Sequence, residues 1–379
     1  MLLAVQVVRD AAVHALAETN PSAAARLWQR HPDVEIASGM SAIGASAHRQ
    51  EPVGMAVFRE INAAASIAPL NAQPYLVRGV EAQVQGRLAD AERAFRSAEW
   101  RDPRSLPARY FLADHYLRAG ELGRGLREFA VLARLAPGGS TSVSPYLASY
   151  ARDPANWPQM RELFRSDPAL QEATLERLAT SSDNSQAILA LADAEHRNAQ
   201  SPWLPGLLAA LVRDGRFDTA RSLWANVAGV PRSETALLFD AGFTNDAAPP
   251  PFNWTLVSST VGLAERQSNG RLHVIYYGQE DGSLADQLLV LKPGTYRLAM
   301  RVAGGERARS LNWSLTCAGS QTPFASIALS AVEARPWTFA VPANCAAQRL
   351  SLAGSSSDIA QQVEVTISDL SLMREGTHG

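Results

Sequence analysis

Gly86-Arg87-Leu88-Ala89-Asp90-Ala91-Glu92-Arg93-Ala94-Phe95 is followed 34 residues later by Gly120-Glu121-Leu122-Gly123-Arg124-Gly125-Leu126-Arg127-Glu128-Phe129. A proline lies behind each block, at Pro103 and Pro137, again 34 apart. A fixed period of this length marks stacked helical hairpins, because one hairpin cannot bury its apolar face alone. In the first unit Asn71 is placed to cap a helix, and Pro74 is tolerated in its first turn, where its missing N–H has no partner to lose. Gly86 ends that helix, and the next carries Leu88, Ala91, Phe95 and Ala98 as one stripe before Pro103 stops it. The second unit repeats the scheme with Leu112, Ala113 and Tyr116, then Leu122, Gly125, Phe129 and Leu132.

These residues resemble the tetratricopeptide repeat, whose pattern is W-x2-L-G-x2-Y, then A-x3-F, then P. Tyr75 stands at the Trp position of the first unit, and Gly79, Ala91, Phe95 and Pro103 fit. Arg78 and Ala82 depart from it. In the second unit Leu112, Tyr116, Phe129 and Pro137 fit, Ala113 and Gly125 exchange small for small, and Arg109 departs at the Trp position. The resemblance implies an antiparallel helix pair per unit, a concave surface that binds peptides or protein segments, and no catalysis. The register extends upstream, where Ile61, Ala64 and Pro69 mark a degenerate unit over 38–69. Downstream, Gly215-Arg216-Phe217 to Trp224 restates the glycine-to-aromatic block 95 residues after Gly120, which is no multiple of the period.

The remaining helical half reads less regularly. A helix through Leu16 and another from Asn20-Pro21 precede the repeats. Residues 37–47, small and glycine-interrupted, read as loop or weak helix, and Gly138 to Ser144 reads as a loop. Helices are expected over Pro154–Ser166, Leu170–Thr180, Ser185–Asn198, Trp203–Arg213 and Phe217–Val227.

From Asn245 the character changes. Ala247-Ala248-Pro249-Pro250-Pro251 is unsuited to helix, and alternation with β-branched and aromatic residues follows. Strands are expected around Leu272–Tyr276, Tyr296–Val302, Asn312–Cys317, Trp337–Val341, Leu350–Leu352 and Val363–Leu372. The fold class is therefore an all-α helical-hairpin solenoid over 1–245 joined to an antiparallel β-sandwich, a jelly roll of eight or nine short strands, over 252–374. Gln287 to Leu298, with Lys292-Pro293-Gly294-Thr295-Tyr296 inside it, resembles the strand–turn–strand step of carbohydrate-binding modules of the galactose-binding-like jelly roll. That resemblance covers one hairpin and implies the fold more than sugar binding.

Composition narrows the function classes. The formal charge of −2 and pI near 6.4 argue against a general nucleic-acid binder. Lys292 is the only lysine, which excludes a Walker-type phosphate loop in the helical half. No H-E-x-x-H or G-x-S-x-G motif is present, so no catalytic residue, cofactor or metal ligand is assigned and the chain reads as a non-enzyme. Cys317 and Cys345, the two cysteines, are expected to pair, because the end of one strand and the start of an antiparallel neighbour share an edge. A disulfide implies an oxidising compartment. The apolar start, Met1 to Val8, is too short to span a bilayer; it reads as a helix start, or as the tail of a membrane anchor that begins before Met1. Trp254, Trp313 and Trp337 are expected in the sandwich core, His273 on a solvated sheet face, and Glu280-Asp281 in a solvated turn. Tyr276 and Tyr277 point to opposite faces, so Tyr277 is the candidate ligand contact.

The expected function is a binding scaffold of the cell envelope, periplasmic or anchored to the membrane and facing the periplasm. Its helical groove would hold a protein partner and its sandwich a glycan or a second protein. The alternative is a carbohydrate-binding protein serving polysaccharide synthesis or export.

Overall fold

The computed structural model describes residues 2–17, 19–49, 51–231, 237–304, 309–357 and 361–375. The chain divides into two compact units, Met1–Leu170 and Gln171–Gly379. Helices fill the first unit, and a helical segment followed by two antiparallel five-stranded sheets fills the second.

In the first unit the helices are α1 (Leu2–Ala17), α2 (Pro21–Leu27), α3 (Pro32–His48), α4 (Met55–Ile67), α5 (Gln73–Val84), α6 (Leu88–Arg101), α7 (Leu106–Arg118), α8 (Leu122–Leu135), α9 (Gly139–Tyr150) and α10 (Trp157–Ser166). Successive helices pair, α3 with α4, α5 with α6 and α7 with α8. The repeat is legible in the turns. Gly86 and Gly120 both adopt the left-handed conformation, at φ +74° and +77°. Arg87 N donates to Ala82 O, and Glu121 N to Tyr116 O, both at 2.8 Å. This is a Schellman turn, in which glycine at a positive φ frees the next amide to close the helix.

Small residues let the paired helices approach. A Cβ at Gly79 would overlap the edge of the Phe95 ring, and one at Gly125 would lie 2.7 Å from the Leu117 side chain. Phe95 is fully buried with Leu76, Ala82, Ala91, Ala98, Ala108, Leu112 and Tyr116. Phe129 is buried one unit on, while Tyr75 is half-buried and Pro103 and Pro137 are exposed beyond the second helices. Gly79→Leu is expected to cost about 1–3 kcal/mol by overpacking against Phe95. Thermal unfolding of the full chain, followed by its helical signal, checks this.

A full helix stands where loop or weak helix was expected, and another where a loop was expected. Residues 37–47 lie in α3, whose Gly39 sits against Ile61 as Gly79 does against Phe95. Glycine there permits close approach and does not break the helix. Gly138 alone forms the turn before α9, at φ +66°. Gly139 already packs against the Ala133 backbone, and Val143 and Leu147 bury one face of the helix.

In the second unit, α11 (Pro168–Leu178) begins at the division between the units, and α12 (Ser185–Leu191), α13 (Trp203–Arg213) and α14 (Phe217–Val227) follow. The helix expected as far as Asn198 stops at Leu191, because Arg197 turns back and donates to Leu189 O and Ala192 O at 2.6 and 2.7 Å. The α13–α14 turn repeats the earlier geometry. Gly215 has φ +72°, and Arg216 N donates to Leu211 O at 2.8 Å. Helix α14 nevertheless packs on the segment that leads into the sandwich. Trp224 is fully buried, its ring 4.9 Å from Phe239 and 5.6 Å from Phe252, and its indole N–H donates to Pro249 O at 2.8 Å. Arg221 donates to Val290 O at 3.3 Å. Helices α13 and α14 thus lie in the same compact unit as the two sheets, and the division between the units falls after Leu170.

Among the described residues the strands are β1 (Thr255–Leu256), β2 (Gly262–Gln267), β3 (Arg271–Tyr276), β4 (Gly282–Leu289), β5 (Gly294–Ala303), β6 (Leu311–Cys317), β7 (Pro323–Ala328), β8 (Trp337–Val341), β9 (Gln348–Gly354) and β10 (Val363–Arg374), with helix α15 (Leu329–Ala334) between β7 and β8. One sheet runs β1-β4-β9-β6-β7 and the other β2-β3-β10-β5-β8. Strands β3, β4, β5 and β6 pair respectively with β10, β9, β8 and β7, all antiparallel. That nesting is a long antiparallel ribbon rolled up, the jelly-roll topology. Trp254, Trp313 and Trp337 lie in its core with Tyr276 and Tyr296.

Cys317 and Cys345 form the expected disulfide, with Cα atoms 5.4 Å apart. The register explains it: Cys317 ends β6 opposite Gln348, which opens β9 three residues after Cys345. For a sequence separation of 28, the chain-entropy model gives about 3–4 kcal/mol of stabilisation. Cys345→Ser is expected to lose that amount, read from urea unfolding against an unreduced control.

Candidate partner-binding face and the sandwich residues

Helix α7 carries Tyr110, Asp114 and Arg118 at i, i+4 and i+8, one stripe on a helix surface. Arg118 Nε donates to both Asp114 carboxylate oxygens at 2.9 Å. Gln83 of α5 donates to Asp114 Oδ2 at 3.0 Å. On the other side the Tyr110 hydroxyl meets that of Tyr146 on α9 at 3.4 Å, with the rings edge-on. Tyr110 and Tyr146 remain 39% and 44% exposed. The first helices of three successive hairpins thus share one polar and aromatic surface.

Electrostatics fix its charge state. The Tyr146 hydrogen bond, then burial, then the tyrosine and Asp114 nearby push the Tyr110 phenol above its ordinary pKa. Burial, then Asp114, raises Tyr150. The Asp114 hydrogen bonds and charge raise Arg118. At neutral pH the Tyr110 and Tyr150 phenols are therefore uncharged and the Arg118 guanidinium is charged. None of these residues was singled out by the repeat motif, which registers packing positions. The i, i+4, i+8 spacing opposite buried Leu112 and Tyr116 was the available signal.

The motif departures have structural partners. Arg109, at the Trp position, forms an ion pair with Glu128 at 2.8 Å and a second with Glu99, joining α6, α7 and α8. Arg124 of α8 donates to Glu92 of α6 at 2.6 Å and to the Tyr116 hydroxyl at 2.7 Å. Burial and then the Glu92 charge push the Tyr116 phenol up to about 12. Burial would raise Glu92, but the Arg124 hydrogen bond and charge outweigh it and leave the carboxyl below its ordinary value. Arg78 donates to Asn62, and Arg87 and Arg93 pair with Asp90, around a depression of about 560 Å³ between α4, α5 and α6.

In the sandwich, Tyr276 is buried and its neighbour Tyr277 is 38% exposed, as alternation requires. The three tryptophans are core residues, so none offers a stacking platform. His273 is held between Glu265 and Glu364, at 3.2 and 3.0 Å, and the Glu364 hydrogen bond leads in raising its pKa. Asp281 accepts from Ser356 N and Oγ at 2.6 and 2.7 Å, which lowers its carboxyl. Its turn is a structural clasp between two loops. Among the described residues, no group of three His, Cys, Asp or Glu side chains is arranged to hold a metal ion.

No family model and no curated protein matches the chain. Among solved structures it is similar to one titled "Crystal Structure of the Yeast Tom70", at 15% identity and a TM-score of 0.30. The similarity covers 55% of this chain and 45% of that one, so the chain spans less than half of the length of the structure it matches.

Proposed function

We propose that the protein is a non-enzymatic scaffold whose helical hairpins bind an extended segment of a partner protein across α5, α7 and α9. The observation that carries this reading is the half-exposed Tyr110–Tyr146 pair beside the Asp114–Arg118 pair. Tyrosine supplies contact area at low conformational cost, and a charged pair beside it sets orientation. The disulfide supports a place in the oxidising cell envelope, facing the periplasm. Under this reading the sandwich docks a glycan or a second protein, with Tyr277 at the contact.

The test is a pull-down from the native envelope fraction with the full chain, repeated with Tyr110→Ala/Arg118→Glu. These side chains are half-exposed or exposed, so folding is expected to be unchanged while partner recovery falls at least tenfold. Undiminished recovery by the variant removes the reading. Glycan binding by the full chain that Tyr277→Ala abolishes favours the carbohydrate-binding alternative.

A further inference from the structure

Helix α1 is two different objects along its length. Its C-terminal half is anchored: Val13 and Ala17 are buried with Ala24, Val34 and Ala37. Its N-terminal half leaves the protein. Every position from 3 to 10 is exposed, including Leu3 at 82%, Val5 and Val7 at 61% and Val8 at 68%. Among residues 2–8 the sole polar side chain is Gln6, and none is charged.

The arrangement of these side chains selects what covers them. With about 100° of rotation per residue, Val5, Val7 and Val8 stand roughly 200°, 40° and 140° around the axis from Leu3. The exposed apolar side chains therefore cover an arc of roughly 200°, and Gln6 stands outside it at roughly 300°. The apolar stripe of a helix that faces a protein core or groove is about 100° wide, and this arc is about twice that. The run ends where a bilayer interface would require it to. Arg9 stacks over the Trp28 ring at 4.6 Å and donates to Leu27 O at 2.9 Å, and Leu27 is itself partly exposed. Tryptophan and arginine are the side chains that settle at the boundary between headgroups and hydrocarbon.

We propose that the first two turns of α1 insert into the hydrocarbon of a lipid bilayer, with Arg9 and Trp28 at the headgroup level. Residues 2–8 extend about 10 Å along the axis, against a hydrocarbon core of about 30 Å. No helix among the described residues is long and apolar enough to cross a membrane. Arg9 and Asp10 cancel in charge, so attachment depends on apolar contact and not on anionic lipid. The proposal extends the envelope reading and owes nothing to the partner-binding face.

Flotation of the full chain with phosphatidylcholine vesicles tests it. The wild type is expected to float with the vesicles, at low and high salt alike. Val5→Asp/Val8→Asp is expected to reduce the floating fraction at least tenfold with an unchanged circular dichroism spectrum. Leu3→Ser/Val7→Ser, a milder change at exposed positions, should act in the same direction. Tyr110→Ala/Arg118→Glu should float as the wild type, which separates this result from the fate of the partner-binding reading. A wild type that stays with the unbound protein overturns the proposal, as does a Val5/Val8 variant that floats equally well. Lipid-free self-association that the same variant abolishes would identify a second copy as the occupant and overturn it too.

Discussion

Trp224→Ala is expected to destabilise the C-terminal unit by about 3–5 kcal/mol. Three losses combine. The ring is fully buried against Phe239 and Phe252, so its removal leaves a cavity that two large neighbours cannot fill without moving. The Pro249 carbonyl loses its indole donor. The link between α14 and the chain that enters β1 loosens at both ends, since Phe252 lies three residues before Thr255. Hydrogen exchange on the full chain reads the effect where it matters. The Leu288 amide donates to Pro251 O at 2.8 Å, beside the Trp224 pocket, and should exchange faster together with its neighbours in β4 and β9. If α13 and α14 were energetically part of a separate helical unit, the sheet amides would keep wild-type protection, and the division after Leu170 would lose its meaning.

That division shows where sequence patterning stops. Period separates helix from strand, and it places the change of structure near Asn245 correctly. It carries no information about which hydrophobic face meets which. Trp224 occupies the aromatic position of a glycine-to-aromatic block, as Phe95 and Phe129 do, yet its ring packs on residues beyond the helical segment. The turns behaved differently. Gly86, Gly120 and Gly215 were readable because a left-handed residue at a helix end is a local requirement. Gly39 reads as a mark of loop or weak helix and Gly139 as a mark of loop, although their requirement is tertiary: each is small so that another chain segment can sit against it. Strands β3, β5, β6, β8, β9 and β10 were legible by alternation, while β1, β2, β7 and the first half of β4 were too short or held too few β-branched or aromatic residues to show. The partner face was missed for a further reason. Tyr110, Asp114 and Arg118 share a face only once α7 is known to present that side, and Tyr146 reaches it from a segment read as loop and unassigned chain.

Arg109 shows how a departure from a repeat motif becomes a structural requirement. Where the motif has an apolar ring, this chain places a guanidinium between Glu99 and Glu128, all three largely shielded from water. Burial, then the neighbouring Glu128 charge, raises the Glu99 carboxyl even with Arg109 present. Arg109→Ala leaves two carboxylates facing each other, and breaking such a pair costs about 3–5 kcal/mol. The pH dependence follows from the sign of the shift. A carboxyl whose folded-state pKa lies above its unfolded value binds protons more readily when folded, so its unfavourable contribution is fully present at high pH. It is relieved as pH falls through that raised value towards the ordinary 4.5. Without Arg109 the Glu99 pKa rises further, so the deficit of Arg109→Ala against the wild type should shrink as pH is lowered from 8. Glu99→Gln/Arg109→Met, which removes one charge from each side, should recover much of the loss at pH 8. Urea unfolding of the three proteins at both ends of that range measures it. A deficit independent of pH would mean that the guanidinium acts through packing against α6 and α8, and a wild-type midpoint for Arg109→Ala would mean that the triad contributes nothing to holding the hairpins in register.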